Sequence, residues 1–140
     1  WEIQYDRFVE TLARDYGLAD AVTLTGKVSQ QDMVTYYKTA VLYVSMSEHE
    51  GFGKPLIESM YLGLPVLAYA RASIPYTMAD TGVLFHHKDF ERLAELVDVL
   101  ATDEALRRRL INRQRERVQE FLEPQVRQRF RQYLQAADIL

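Results

Sequence analysis

The sequence contains no cysteine among its 140 residues, which excludes disulfide bonds and thiolate metal sites and is compatible with a reducing compartment. It also lacks an apolar run close to the ~20 residues that a membrane-spanning helix needs. The longest candidate, residues 59–70, is interrupted by Gly63 and Pro65, and no signal peptide is recognisable. With 48% hydrophobic and 26% charged residues, residues 1–140 are predicted to form one soluble domain with a single core. Because the chain begins with Trp1 rather than Met, we expect a piece of a longer polypeptide.

Positive charge is scarce in the first hundred residues. The net charge is −3 overall, although residues 101–140 carry nine arginines against six acidic residues. A basic segment can indicate contact with nucleic acid or an anionic membrane. Here the arginines from Arg107 to Arg117 alternate with Leu110 and Ile111 at helical spacing, which favours the solvated face of a helix. We therefore predict no nucleic-acid partner, while contact with a membrane surface stays open for the full-length protein.

Strand and helix patterns alternate along the chain. Short apolar runs predict strands at residues 21–25, 41–46, 65–69 and, after a turn, 81–85. The run at 41–46 is of the continuous kind that is buried on both faces of a parallel sheet. Helical spacing predicts helices between and after these strands, with the boundary residues Gly17, Ser29, Pro55, Thr102 and Pro124.

This alternation predicts an α/β fold, a Rossmann-like parallel sheet with helices on both faces. In such sheets ligands bind beyond the carboxyl ends of the strands. The loops that follow the first three predicted strands contain residues 26–29, 47–53 and 71–75. We therefore expect these three loops to converge on one cleft.

The most informative stretch is residues 47–63. An apolar run leads into Glu50-Gly51-Phe52-Gly53-Lys54-Pro55, and a helical pattern follows. Pro55 suits the first position of a helix because its φ fits and its missing N–H would have no partner there. The two glycines let the backbone approach a ligand, and the free amides at a helix start favour an anion.

Two glutamates flank this helix start. Glu58 would be the fourth helical residue, one position too late for the reciprocal capping box, and Glu50 lies before the helix. Carboxylates beside a phosphate would be repelled by it, so hydrogen bonds from sugar hydroxyls are their natural role. We assign Glu58 to a ribose diol, as for the acidic residue of dinucleotide folds, and Glu50 to hydroxyls beyond the other end of the phosphates.

The stretch resembles a known family. Glu50-Gly51-Phe52-Gly53-x-Pro55-x-x-Glu58, followed by Met60-x-x-Gly63-x-Pro65-Val66, is similar to the motif of the retaining glycosyltransferases of family 4, which have the GT-B fold. The resemblance runs from about residue 15 to about residue 121. It covers most of the family's C-terminal, nucleotide-sugar-binding domain, and it implies that a first strand lies before Trp1.

The resemblance implies a role for each matching residue. Glu50 matches the residue that faces the donor sugar, and we predict it as the catalytic residue. Glu58 matches the ribose ligand, and Val28 matches the position against which the base packs. The donor-binding loop corresponds to Gly51, Phe52, Gly53, Lys54, Pro55 and Leu56.

The implied reaction is transfer of a sugar from a UDP- or GDP-linked donor to a hydroxyl, with retention at the anomeric carbon. No cofactor or metal is implied. The expected partner is the acceptor-binding N-terminal domain of the same full-length chain. The implied setting is polysaccharide or glycolipid biosynthesis in the cytoplasm, with peripheral contact to the membrane allowed.

Two departures from the family pattern stand out. The family's Arg and Lys that grip the diphosphate would lie upstream of Trp1, so Lys54 is the one cation inside the motif. The family usually has Gly-Gly-x-Pro-Glu where this chain has Ala72-Ser73-Ile74-Pro75-Tyr76. Ala72 and Ser73 cannot approach a ligand as closely as glycine.

Other candidate ligands have plainer interpretations. His49 is more simply a half-exposed loop residue than a sugar contact. His86 and His87, with Asp89, favour a solvated turn over a metal site, because neighbouring residues at a strand end point in opposite directions. The tyrosines are predicted to fill the core, chiefly Tyr36, Tyr37, Tyr43 and Tyr133.

Two alternatives to the transferase stay open. A non-catalytic GT-B-like module that serves in assembly is favoured slightly by the Ala72-Ser73 loop and disfavoured by the intact Glu50 and Glu58. A sugar-nucleotide epimerase of related fold matches the two-glutamate motif less well.

Overall fold

The computed structural model describes residues 2–139, with side chains from Tyr5 onward. Seven α-helices, one 3₁₀ helix and three strands are found in this range. In chain order they are α1 (Glu2–Asp15), α2 (Gln30–Thr39), β1 (Tyr43–Ser45), α3 (Lys54–Leu62), β2 (Val66–Tyr69), α4 (Ile74–Met78), β3 (Val83–Phe85), α5 (Phe90–Thr102), α6 (Glu104–Val118), the 3₁₀ helix Gln119–Phe121 and α7 (Glu123–Ala136). The chain divides into two compact units, one ending at Met33 and one beginning at Val34.

The unit that ends at Met33 contains α1 and the segment after it. The stop predicted at Gly17 is confirmed: this residue has φ 68°, and its amide and that of Leu18 donate to carbonyls of the last turn of α1, as in a Schellman motif. The strand predicted at residues 21–25 is wrong, because that segment forms no ladder with any of the three strands described. Val22 and Leu24 are exposed. Alternation identifies residues that suit a strand, but a strand also needs a partner for its backbone groups.

The three strands form a parallel sheet in the order β1-β2-β3. Tyr43 pairs with Val66 in the first ladder, and Leu67 pairs with Val83 in the second. The predicted α/β class with a parallel sheet is therefore confirmed. The carboxyl ends of all three strands lie at one edge of the sheet, which we call the carboxyl edge.

Helices cover both faces of the sheet. Because side chains alternate along a strand, Val66 and Ala68 of β2 point to one face, and Leu67 and Tyr69 point to the other. The first face packs against α3, α4 and the end of α6, and the second packs against α5 and the start of α6. The first cluster comprises Leu56, Met60, Val66, Ala68, Ile74, Met78 and Val118. The second comprises Leu67, Tyr69, Phe85, Leu93, Leu100 and Leu110.

Burial differs between the predicted strands. All four residues of β2 are buried, as expected for a strand covered on both faces. The same expectation for residues 41–46 is wrong: β1 is short and lies at the side of the described sheet, and Val44 is 42% exposed. A continuous apolar run does not distinguish a central strand from an edge strand.

Side-chain caps start several helices. The predicted cap Ser29 is confirmed, since its hydroxyl accepts from the amide of Asp32 at 3.1 Å and donates to the Asp32 carboxylate at 2.7 Å. The cap predicted at Thr102 is wrong. Asp103 caps α6 instead, accepting from the Leu106 amide at 2.8 Å, while the Thr102 hydroxyl donates back to the Asp98 carbonyl.

The tyrosines divide into two groups. Tyr37 is buried and Tyr43 is half-buried, with their ring centroids 6.1 Å apart. Tyr36 and Tyr133 are exposed, so the prediction that they fill the core is wrong. Both are on helices whose periodicity was recognised, but helical spacing alone does not show whether another element covers the apolar face.

Candidate functional site

The glycine loop, residues 50–54, joins β1 to α3 at the carboxyl edge. Gly53 immediately precedes α3 and has φ 77°, a conformation that favours glycine. A Cβ on Gly53 would lie 2.6 Å from Leu56 Cδ1, so the position is also closed by packing. The helix begins at Lys54, which makes Pro55 the second helical residue rather than the first. Both the backbone conformation and the packing of Leu56 therefore favour glycine at residue 53.

The amides of this helix start are largely unused. Those of Leu56 and Ile57 donate to the Gly53 carbonyl, at 3.0 and 3.4 Å, and no side chain caps the helix. Within residues 2–139, no hydrogen bond uses the amides of Gly51, Phe52, Gly53 or Lys54. Four consecutive donors at the positive end of a helix can bind an anion.

Gly51 differs from Gly53. A Cβ on Gly51 would meet nothing within 4 Å, and its φ is not positive. The fold therefore does not require glycine at position 51. A glycine in open space beside unused amides leaves room for another molecule to approach the backbone.

Glu58 is held in place by two neighbours. The Tyr37 hydroxyl donates to one carboxylate oxygen at 3.3 Å, and Lys54 Nζ lies 3.2 Å from the other. The side chain is 26% exposed, whereas that of Lys54 is 77% exposed. Burial, and then the negative charge of Glu58, raise the pKa of Tyr37 to about 12. Tyr37 therefore stays a neutral donor to Glu58 at physiological pH.

Glu50 and Glu58 act on a common neighbour. The pKa of Tyr43 is raised, first by burial of its hydroxyl and next by the negative charge of Glu50, while the Ser45 hydroxyl lowers it and Glu58 adds a smaller increase. Tyr43 is the first residue of β1, and both carboxylates contribute to the electrostatic field at its hydroxyl. The glycine loop and the first turns of α3 thus contain two carboxylates and, within the described residues, four amides that make no hydrogen bond.

A second loop contacts the glycine loop. Both the amide and the hydroxyl of Ser73 donate to the Glu50 carbonyl, at 3.4 and 2.8 Å. Ala72 has φ 48° and Ser73 has φ −78°, the signs found in a type II′ turn, whose first central residue is usually glycine. The loop thus keeps a glycine-type backbone although alanine occupies the position. Two of the three loops predicted to converge are therefore in contact.

The remaining predicted site residue, Val28, is half-buried and belongs to the unit that ends at Met33. Leu56 is 1% exposed and packs in the first apolar cluster. Its amide donates to the Gly53 carbonyl and its side chain packs in the core, so Leu56 supports the glycine loop from inside the fold.

Charged residues continue along the carboxyl edge. Lys88 Nζ lies 2.7 Å from Glu48 Oε1 and 4.9 Å from the centre of the Tyr69 ring. Arg71 Nε donates to the Tyr69 hydroxyl at 3.1 Å. The Lys88 ammonium lowers the pKa of Glu48 through a hydrogen bond and its charge. These pairs connect the ends of all three strands.

Sequence reasoning did not identify Tyr37, Ser73 or Thr77 as supports of the site. The Thr77 hydroxyl donates to the Phe52 carbonyl at 2.8 Å. Each of these residues is more than twenty positions from its partner, and no local pattern joins them. His86 and His87 are exposed, and the part of the chain with described side chains contains no cluster of three or more His, Cys, Asp or Glu able to hold a metal. In the same range, no helix is long and apolar enough to cross a membrane.

Comparison with known proteins identifies relatives of this site and fold. The Glycosyl transferases group 1 family matches residues 2–117. The serotype-specific mannosyltransferase WbdA of Escherichia coli is 32% identical over 100 residues, which are 71% of this chain and 12% of WbdA. A D-inositol 3-phosphate glycosyltransferase of Streptomyces avermitilis is 33% identical over 104 residues, which are 73% of this chain and 22% of that protein.

Solved structures show the same fold. Sucrose-phosphate synthase from Thermosynechococcus elongatus superposes with a TM-score of 0.76 and 34% identity, over 93% of this chain and 34% of that one. The C-terminal domain of a glycosyl transferase group 1 family protein from Francisella tularensis gives a TM-score of 0.73 at 23% identity, over 84% of this chain and 62% of that one. The fold is thus that of the C-terminal domain of GT-B proteins. This chain spans between about an eighth and a quarter of the length of the curated relatives named above, and it belongs to the Glycosyl transferases group 1 family.

Proposed function

We propose that this chain is the donor-binding half of a retaining glycosyltransferase, which transfers a sugar from a nucleoside-diphosphate sugar to a hydroxyl. One observation carries the proposal: four unused amides, those of residues 51–54, are flanked in the chain by the carboxylates of Glu50 and Glu58. A diphosphate needs the amides, and the rings attached to its two ends need acceptors for their hydroxyls.

The diphosphate lies against the glycine loop in this proposal. The amides of residues 51–54 donate to its oxygens, and the positive end of α3 favours its charge. Open space at Gly51 lets the phosphate approach the backbone. The hydroxyls of Thr77 and Ser73 donate to the carbonyls of Phe52 and Glu50, which holds the backbone of the loop in place.

The carboxylates bind the rings. Glu58 accepts hydrogen bonds from the ribose diol, with Tyr37 fixing its orientation. Glu50 faces the donor sugar as the catalytic residue. Lys54 is already paired with Glu58, so the amides supply most of the attraction for the diphosphate from this stretch.

The chemistry follows from where charge develops. The bond between the anomeric carbon and the diphosphate breaks, so negative charge grows on the leaving oxygen and the sugar becomes oxocarbenium-like. Preorganised donors aimed at the leaving group are the main source of acceleration in such a reaction. The amides of the glycine loop supply these donors, and the Glu50 carboxylate stabilises the sugar. The oxygen of the acceptor hydroxyl forms the new bond to the anomeric carbon, and its proton leaves with the diphosphate. The acceptor itself is bound by a second domain of the longer protein.

The relatives support this assignment through their names. WbdA is a mannosyltransferase, and the Streptomyces relative is a glycosyltransferase of D-inositol 3-phosphate. Both names describe the transfer of a sugar, which supports a transferase over the two alternatives.

The test is a titration of the complete protein with UDP, GDP and ADP by calorimetry, for the wild type and for Gly51→Ala. We expect one nucleotide to bind the wild type, and a loss of affinity of about tenfold or more in the variant, because the added methyl separates the phosphate from the amides. The free energy of unfolding should change by less than about 0.5 kcal/mol, since the methyl meets nothing in the fold. An unaltered affinity in Gly51→Ala would contradict the loop assignment.

Silence toward all three nucleotides at millimolar concentration would instead favour the non-catalytic module. If nucleotide binds, analysis of the product distinguishes the remaining alternatives. Transfer to a hydroxyl with the donor's anomeric configuration kept supports the proposal, whereas an isomerised free sugar nucleotide indicates an epimerase.

A further inference from the structure

Among the arginines of α6 that form ion pairs, Arg117 is the least exposed, and Arg107 is also partly buried and donates to a carbonyl at the end of α5. The side chain of Arg117 is 12% exposed, compared with 69% for Arg108 and 52% for Arg113. Arg108 pairs with Glu104 on its own helix, in the ordinary manner of a surface arginine. Arg117 points inward, toward the end of α4. The sequence pattern grouped all these arginines as a solvated helix face, and Arg117 does not fit that description.

Every nitrogen of the Arg117 guanidinium has a partner. Nε donates to the Thr77 carbonyl at 3.2 Å, and Nη2 donates to the Tyr76 carbonyl at 2.6 Å. Nη1 lies 2.8 Å from the Glu120 carboxylate. Tyr76 and Thr77 are in the last turn of α4, where carbonyls lack partners inside the helix. Arg117 therefore caps the carboxyl end of α4 with charge-assisted hydrogen bonds.

The same residues lead back to the glycine loop by two routes. The Thr77 hydroxyl donates to the Phe52 carbonyl at 2.8 Å. The Phe52 ring packs edge-on against Phe121 at 5.7 Å between centroids, and the Arg117 guanidinium lies 4.9 Å from the centre of the Phe121 ring. Arg117 thus contacts both residues that hold Phe52. Thr77 binds the backbone carbonyl of Phe52, and Phe121 packs against its ring.

We propose that Arg117 is a positioning residue for donor binding, holding the glycine loop through Thr77 on one side and Phe121 on the other. We call this set, Arg117, Thr77, Phe121 and Phe52, the arginine brace. Lysine at position 117 would keep the charge, but a single ammonium cannot reach both carbonyls and Glu120 in the geometry of a planar fork. The expected effect of the brace on nucleotide affinity rests on the proposed function, whereas its effect on the order of the glycine loop does not.

The first measurement needs no ligand. Hydrogen exchange of the peptide containing residues 54–60, in which the Leu56 and Ile57 amides donate to the Gly53 carbonyl of the loop, is followed by mass spectrometry in the complete protein, for the wild type, Arg117→Lys and Thr77→Val. Both variants should exchange in this peptide several-fold faster, because local opening depends on the contacts that close the loop. Arg108→Lys is the matched control and should exchange like the wild type. Wild-type exchange rates in Arg117→Lys would overturn the brace.

The second measurement connects the brace to donor. In Arg117→Lys the KM for the sugar nucleotide should rise about threefold to tenfold, with a smaller change in kcat, because misplaced amides weaken binding before they affect the bond that breaks. Phe121→Tyr keeps the aromatic ring and should therefore retain more of the wild-type donor affinity than Phe121→Leu. If the substitutions only disturbed the fold in general, both Phe121 variants would change kcat and KM to the same extent. That result would overturn the positioning role.

Combining the variants tests whether the two routes act on one loop. Thr77→Val with Arg117→Lys should weaken donor binding by less than the product of the single effects, since both remove the same restraint. Fully multiplicative effects would contradict a shared brace. If the wild type binds no nucleotide, the proposed function fails, and the exchange measurement still decides the brace by itself.

Discussion

Two helices begin at the same edge of the sheet, and they begin differently. Helix α5 starts after β3 and is closed by its own residue, because the Asp89 carboxylate accepts from the Arg92 amide. Helix α3 starts after β1 at Gly53, and no side chain caps it. A glycine at this position is less favourable than a side-chain cap by roughly a few tenths of a kcal/mol. The first turn of α5 is thus closed by a side chain of its own segment, whereas no side chain within the described residues closes that of α3.

The largest expected contrast concerns the apolar residue in each first turn. Leu56→Ala should lower the free energy of unfolding by about 2–5 kcal/mol, because Leu56 is buried under the glycine loop. Phe90→Ala, in the first turn of α5, should change it by less than about 0.5 kcal/mol, since Phe90 is 68% exposed. Denaturant unfolding of both variants measures the contrast. Equal losses would show that the two starts are packed alike.

A second contrast concerns nucleotide binding. Glu58→Ala in the complete protein should weaken donor binding by roughly 1.5–3 kcal/mol for each charge-assisted hydrogen bond lost. Glu95→Ala, a matched exposed glutamate on α5, should leave the affinity as it is. Calorimetric titration with the nucleotide that the wild type binds decides between them. Unchanged affinity in Glu58→Ala would contradict its assignment to the ribose.

The cap of α5 provides the converse test. Asp89→Ala should lower the free energy of unfolding by about 1 kcal/mol through loss of the cap, while donor affinity stays constant. Thermal unfolding and titration of the same sample measure the two quantities. A drop in donor affinity would mean that the starts of α3 and α5 are not independent.

The smallest expected effect is at Tyr37, which holds Glu58 near the start of α3. Tyr37→Phe should cost about 1 kcal/mol or less near neutral pH, because its hydrogen bond is long at 3.3 Å. The folded protein raises the pKa of Tyr37 from 10.0 to about 12, so the unfolded chain loses this proton first. The contribution of neutral Tyr37 to the free energy of unfolding is therefore fully present below pH 10 and is lost as the pH rises toward 12. Between pH 10 and 12 the free energy of unfolding should fall less steeply in Tyr37→Phe than in the wild type. The same dependence on pH in both proteins would contradict a raised pKa for Tyr37.

Local signals predicted well. The strand, glycine loop and helix at residues 41–63 were recognisable because φ preferences, helix starts and periodicity involve neighbours in sequence. Ser29 as a cap followed from the same rules, and the choice of Thr102 over Asp103 failed because both residues can cap and stand side by side. The sequence alone could therefore predict the position of α6 to within a residue or two, but not the residue that caps it.

Distant partners could not be predicted in this way. The strand at residues 21–25 depended on a neighbour that alternation does not reveal, and the burial of Tyr133 depended on a covering element. Likewise, Arg117 looks like its neighbours in the sequence, and only the fold places it against the end of α4. For the candidate site, the sequence therefore predicted the glycine loop and the helix start that contains Glu58, and it missed the distant residues that contact them.

The backbone at Ala72 has a consequence for engineering this protein. A side chain held at φ 48° carries strain, and it is kept there by the hydrogen bonds of Ser73 to Glu50. Replacement by glycine would relieve the folded loop but enlarge the range of shapes open to the denatured chain, so the two effects oppose each other. A variant designed to tighten this loop should therefore alter the tether at Ser73 and leave the alanine alone.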